Sequence, residues 1–250
     1  MERGLYAAAT GMLAQQTMQE VLAQNIANAA TVAYKQDQPT FRTIQTLAIR
    51  RMTGASDRGP QIGELGAGVN PDKTYIDWQQ GPLAQTGAPL DASLGQNQFF
   101  AVQSGANVRY TRAGNFQIDG TGNLVTPNGD RVLDRTNRPI NVAGRTQISL
   151  DARGNVLADR QPIAQIQIVD ANVAQMEKEG ETRYRPNGAN AVRPAAAPLV
   201  RPGTLEQSNA NTVMGLVRLI TVSRAFEMAQ RAVTTQDELL RQATTEVGKV

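Results

Sequence analysis

The sequence predicts an α+β protein: long N- and C-terminal helices paired as a coiled coil, around a central all-β, antiparallel domain. Three observations carry this reading. Residues Gly4 to Ala30 place apolar and small side chains at helical spacing, and Val213 to Val247 do so more strongly. The Gly- and Asn-rich stretch between them alternates apolar and polar residues as strands do.

In the first helix Leu5, Met12, Gln19 and Ile26 fall seven apart, with Ala8, Gln15, Leu22 and Ala29 between them. Its opposite face is poor in charge: between Gly4 and Tyr34 only Glu20 is ionisable at neutral pH. A helix so short of charge is expected to be covered on more than one side. Asn28 is a natural stop, because Asn tolerates the left-handed conformation that ends helices. Thr31 to Tyr34 then reads as extended, and Pro39 lies beyond the helix. Thr40 to Met52 is a second, short apolar-periodic segment, and Gly54 to Gly68 reads as loose.

From Val69 the pattern turns to β. Thr74–Trp78, Phe99–Gln103, Val108–Arg112, Phe116–Asp119 and Asn123–Thr126 are candidate strands, and others follow around Ile148, Val156 and Ile163–Val169. Ser104-Gly105-Ala106-Asn107 and Asp119-Gly120-Thr121-Gly122 supply hairpin loops. This spacing fits antiparallel pairing rather than βαβ units. Arg185 to Gly203, with Pro186, Pro194, Pro198 and Pro202, reads as a returning linker without regular structure.

The last helix follows Ser208-Asn209-Ala210-Asn211, where Asn209 or Asn211 caps the free N–H groups. Leu219, Phe226, Val233 and Leu240 are seven apart, Val222 and Ala229 widen the stripe, and Leu216 and Ile220 extend it. So amphipathic a helix needs a partner, and the first helix is the one other long helix expected; hence the coiled coil of chain ends. The expected division is residues 1–35 with 205–250 as the helical domain, 36–70 as an extended linker, 71–184 as the β-rich domain and 185–204 as the return linker.

Composition narrows function by exclusion. Lys plus Arg is 25 against 22 for Asp plus Glu, a net charge of +3 without a basic run, which argues against nucleic-acid binding. With no Cys and no His, there is no disulfide, zinc thiolate, His-ligated metal, catalytic Cys or Ser-His dyad. The start MERGLYAAATGMLAQQ lacks the apolar core of a cleavable signal, and no run of about 18 apolar residues suits a membrane span. Asp119, Asp130 and Asp134 are the best carboxylate cluster, but all three lie at turns, where Asp is favoured for backbone reasons. Asp119-Gly-Thr-Gly-Asn123-Leu124 has Leu where a calcium loop needs its sharp-turn Gly. Gly63-Glu-Leu-Gly66-Ala-Gly68 is not a dinucleotide fingerprint. The expectation is a non-enzyme without cofactor or metal.

Three blocks carry a resemblance. Leu5-Tyr6, Gly11, Ala14-Gln15-Gln16 and Asn25-Ile26-Ala27-Asn28-Ala29-Ala30-Thr31 with Tyr34-Lys35 resemble the N-terminal signature of bacterial flagellar rod and hook proteins. Gln80-Gly81, Leu83, Thr86-Gly87, Pro89-Leu90-Asp91, Phe99-Phe100, Tyr110-Thr111-Arg112, Gly114, Phe116 and Leu124-Val125-Thr126 follow in that family's order. Leu205-Glu206, Ser208-Asn209-Ala210-Asn211 and Arg224-Ala-Phe226-Glu227 look like its C-terminal signature. Two positions depart: Gln24 stands where the first Asn usually lies, and Ala33 replaces the usual Gly, which restricts the turn before Tyr34.

The resemblance implies a basal-body rod subunit exported through the flagellar type III apparatus without signal cleavage. It implies a helical homopolymer in the periplasm-spanning rod, terminal helices inside and β domain outside, with other rod and hook proteins as partners and no membrane insertion. The stretch from Gly66 through Asp91 favours the distal rod type, while Arg224 to Met228 suits the proximal one equally. The expected packing residues are Leu5, Met12, Leu22, Ile26, Leu216, Leu219, Phe226, Val233 and Leu240. The expected signature and capping residues are Asn25, Asn28, Thr31, Tyr34, Lys35, Ser208, Asn209 and Asn211. Two other classes remain open: a carbohydrate- or peptidoglycan-acting β module, and a secreted adhesin-like β protein.

Overall fold

The computed structural model describes residues 2–44, 46–52, 58–66, 68–188 and 190–247. The chain divides into two units: Met1–Ile26 with Asp37–Tyr75 and Thr212–Val250, and Ala27–Gln36 with Ile76–Asn211.

The first unit holds the helices α1 (Glu2–Ala27) and α2 (Thr212–Val247). It also contains four strands, Asp37–Thr43 paired with Val69–Ile76 and Thr46–Met52 paired antiparallel with Arg58–Gly66. The apolar-periodic segment Thr40 to Met52 thus lies in strands. Of the stretch expected to be loose, residues 54–57 and 67 lie outside the described residues, and 58–66 is a strand.

Both terminal helices form, but the coiled coil does not. A coiled coil buries its repeating knobs in holes on the partner. Here Leu5 is 38% and Leu216 46% exposed, and no residue of α2 whose burial is described is buried. Among the described residues the helices meet at separate spots. Gln19 Nε2 donates to Ser223 Oγ at 3.4 Å, and a Cβ built on Gly215 would lie 2.9 Å from Ile26 Cγ1. The physical reason is visible on α1. Its Ala8, Gln15 and Gln19 give no large knobs, and two of its most buried residues address backbone of the strand region instead. Thr10 Oγ1 accepts from Val69 N at 3.3 Å, and Asn25 brackets Asp37. Heptad spacing marked an apolar face without identifying what covers it.

The second unit is the antiparallel β domain. Its main sheet has nine strands centred on Gln98–Ser104. That strand pairs with Asn107–Thr111, Arg131–Val132 and Ile168–Ala171, all antiparallel. Alternation sends Phe100 and Val102 to one core and Phe99 to another, so all of Phe99 to Val102 is buried. The larger core gathers Leu94, Phe116, Leu124, Val132, Ile140 and Val156; the smaller stacks Trp78, Phe99 and Tyr184 with ring centroids 4.9–5.7 Å apart. Burying each such aromatic contributes about 1.5–3 kcal/mol.

One loop recurs around this sheet. Asp119, Thr126, Asp134 and Asp151 each open a five-residue turn whose first N–H donates to the fifth residue's carbonyl. Gly122, Gly129, Asn137 and Gly154 stand fourth, all at positive φ. The Asp119 and Asp134 carboxylates are thus spent on backbone N–H groups. The Pro-rich return is more regular than its composition suggests. Val192–Pro194 pairs with Ile168–Ala171, Val200–Pro202 with Ala92–Leu94 and Thr204–Glu206 with Leu83–Gln85. Pro194 and Pro202 fall at strand ends, where a missing donor costs least.

Candidate functional site

Within the β unit, the N-terminal signature and the C-terminal signature are drawn to one place. Ala33 N donates to Glu206 O at 2.8 Å and Asn209 N to Tyr34 O at 3.3 Å. Asn209 ties three segments: its Oδ1 accepts from Gln36 N at 2.8 Å, while its Nδ2 donates to Asp77 O at 2.8 Å and Gln79 O at 3.2 Å. Asn209 therefore works as a clamp and not as the cap of α2. Ser208 Oγ accepts from Ala210 N at 3.1 Å, and Asn211 directly precedes α2.

At the centre lies a buried charge cluster. The Glu206 carboxylate accepts four donors: Lys35 Nζ at 2.6 Å, Gly81 N at 3.2 Å, and Arg112 Nε and Nη2 at 3.0 and 2.6 Å. That uses its full acceptor capacity. Arg112 spends a further nitrogen on the carbonyls of Gly95 and Gln98, and Lys35 also donates to Gln79 O. Burial pushes the Lys35 ammonium down from its ordinary value; Glu206 opposes this and Arg112 adds to it. Tyr34, fully buried beside it, carries the Lys178 ammonium 3.8 Å above its ring centre. A Cβ at Gly81 would collide with the Gln207 carbonyl, so the approach of these strands requires glycine there.

The turn leading in is strained where the sequence predicted it. Ala33 has φ of 57° and is buried, a conformation that disfavours any residue with a Cβ. α1 ends at Ala27, and Asn28 keeps an ordinary negative φ, so the left-handed residue is Ala33 and not Asn28. Asn28 Oδ1 accepts from Thr31 Oγ1 at 3.1 Å. In the first unit Asn25 exchanges two bonds of 2.8 and 2.9 Å with the Asp37 backbone, doing the work of a strand neighbour.

The expected packing residues behave differently. Leu22 is buried; Met12, Ile26, Leu219, Phe226, Val233 and Leu240 are half-buried; Leu5 and Leu216 are exposed. None of them is in the charge cluster. Glu206 and Arg112 form that cluster with Lys35, Lys178 lies beside it over Tyr34, and sequence reasoning gave Glu206, Arg112 and Lys178 no role of their own. Glu206 and Arg112 lie inside the signature blocks, which was the one available signal. Among the described residues, no group of three acidic side chains is placed to hold a metal, and no helix is long and apolar enough to cross a membrane.

The β unit locks the chain's two signature segments together, and α2 leaves apolar side chains exposed along its length. Comparison with known proteins gives the family. Residues 5–35 match the flagella basal body rod protein family, 95–158 the flagellar hook protein FlgE/F/G D1 domain, and 201–246 the flagellar basal body rod FlgEFG protein C-terminal family. The chain is 31% identical to the flagellar basal-body rod protein FlgG of Bacillus subtilis, over 97% of this chain and 98% of that one. It is 34% identical to FlgG of Agrobacterium fabrum, over 95% and 96%. It is 29% identical to the flagellar basal-body rod protein FlgF of Caulobacter vibrioides, over the full length of both. The chain belongs to the flagellar basal-body rod protein family, FlgG type.

Proposed function

We propose that this chain is a structural subunit of the distal flagellar rod, polymerising helically with its own copies into the axial shaft that carries torque to the hook. It works in the basal body alongside other rod and hook-basal-body proteins, reaches that place through the flagellar type III apparatus, and catalyses nothing. The observation that carries the reading is α2. It runs 36 residues and leaves Val213, Val217, Ile220, Met228 and Leu239 exposed, Val213 by 70%. Lone exposed apolar side chains need no explanation, but a file of them along one helix marks an interaction surface. Identical contacts that do not close a ring generate an open helix. In this reading α1 and α2 form the inner layer of the tube, and Leu216, Leu219, Phe226, Val233 and Leu240 pack against neighbouring copies. The lock around Glu206 holds the two signature segments together within the β unit.

Electron microscopy of basal bodies from cells lacking the gene tests this. Truncated rods without hooks are expected, ending at the distal segment. Complete basal bodies on swimming cells would refute it.

A further inference from the structure

A second polar site in the β unit is not satisfied within the chain. A cavity of about 90 Å³ is lined by Thr31, Asn115, Thr126, Asp130, Glu181 and Arg183, among others. Its walls are rich in acceptors. The Asn115 side-chain oxygen is buried without a hydrogen-bond partner. Asp130 is 6% exposed, and among the described residues the one side chain bonded to its carboxylate is Arg183, at long distances of 3.4 and 3.5 Å. Arg183 divides itself, giving its shorter 2.9 Å bond to Ser104 Oγ. Glu181 lines the cavity, is exposed, and its carboxylate has no hydrogen bond or ion pair among the described residues. One carboxylate holds a guanidinium at long range beside a bare amide oxygen, and a second carboxylate lines the same cavity. Buried acceptors in this state favour an incoming donor carrying positive charge.

α2 offers that donor. Between Thr212 and Gln236 its charged residues are Arg218, Arg224 and Arg231 against Glu227, all exposed, and among the described residues none of the three guanidinium groups has a hydrogen bond or ion pair. We propose that an arginine of α2 from a second copy of this chain enters the cavity, its guanidinium donating to Asn115 Oδ1 and to Asp130, with Glu181 at the mouth. The proposal rests on self-assembly as read above, and adds the contact that fixes register. A planar fork of donors suits two acceptor groups held side by side. Arg183 already occupies one side, which disfavours a bare metal cation.

The absence of cysteine makes the test clean. Full-length Glu181→Cys protein is mixed with full-length Arg218→Cys, Arg224→Cys or Arg231→Cys protein under assembling conditions and treated with a short bismaleimide. All four side chains are exposed and without hydrogen bonds or ion pairs among the described residues, so the substitutions leave the fold intact. A cross-linked heterodimer with one of the three arginine positions is expected, lost when Thr136→Cys replaces Glu181→Cys. Loss of sedimentable polymer in Glu181→Arg, regained on mixing with the matching Arg→Glu protein, is the second expected result. Polymer that forms without any such heterodimer overturns the arginine contact and leaves the rod reading intact. Absence of polymer from the unmodified chain overturns both.

Discussion

The junction around Glu206 and the surface of α2 are opposites. At the junction every formal charge is buried and paired: one carboxylate takes four donors, and both cations have further acceptors. Along α2, Val213, Val217, Ile220, Met228 and Leu239 are exposed, and among the described residues three guanidinium groups have no hydrogen bond or ion pair. The first region is finished by folding alone. In the proposed rod, the second is the surface that a neighbouring copy covers. This divides the effects of mutation cleanly, stability on one side and assembly on the other.

The largest stability effect belongs to the junction. Glu206→Gln leaves Lys35 and Arg112 buried without their counter-charge and should cost about 3–5 kcal/mol, read from urea unfolding. The pH response carries a signature. Because the folded state holds the Lys35 pKa below its ordinary 10.5, the unfolded chain binds more protons just below that value. This residue's contribution therefore makes stability rise with pH across that window, and Lys35→Met should remove the rise. On α2 the contrast sharpens: Val217→Asp should change unfolding by no more than about 0.5 kcal/mol while abolishing polymer formation, as sedimentation would report. Ala33→Gly relieves a left-handed alanine and should stabilise by about 1 kcal/mol, seen as a raised unfolding midpoint. The smallest effect lies in the recurrent loops. Asp119 is held at about 2 by bonds from Thr121 and then Asn123. Its contribution is present above the ordinary 3.8 and disappears as pH falls through about 2, so Asp119→Asn should flatten the acid limb slightly.

Much of the β domain was legible. Phe99 to Val102 is a continuous apolar run that only a strand buried on both faces explains, and the Gly and Asn turns mark the hairpins. The regions that escaped did so for identifiable reasons. Strand Arg58–Gly66 is Gly-rich and draws its order from pairing with Thr46–Met52, a property of two segments and not of one. The return through Pro194 and Pro202 pairs because its prolines fall at strand ends, which composition cannot reveal. Lys35 and Glu206 are 171 residues apart, so no local pattern marks them as a pair. The coiled coil was inferred from heptad spacing alone, and spacing states that a face is apolar without naming its cover.

The central claim is that α2 is open in the single chain and closed in the assembly. Introducing Val217→Cys or Met228→Cys into the cysteine-free chain allows maleimide labelling to read each position directly in monomer and in sedimented polymer. Fast labelling in the monomer and strong protection in the polymer are predicted. Equal protection in both would mean that α2 is already packed within one chain, and equal reactivity in both would mean that it is not the assembly surface.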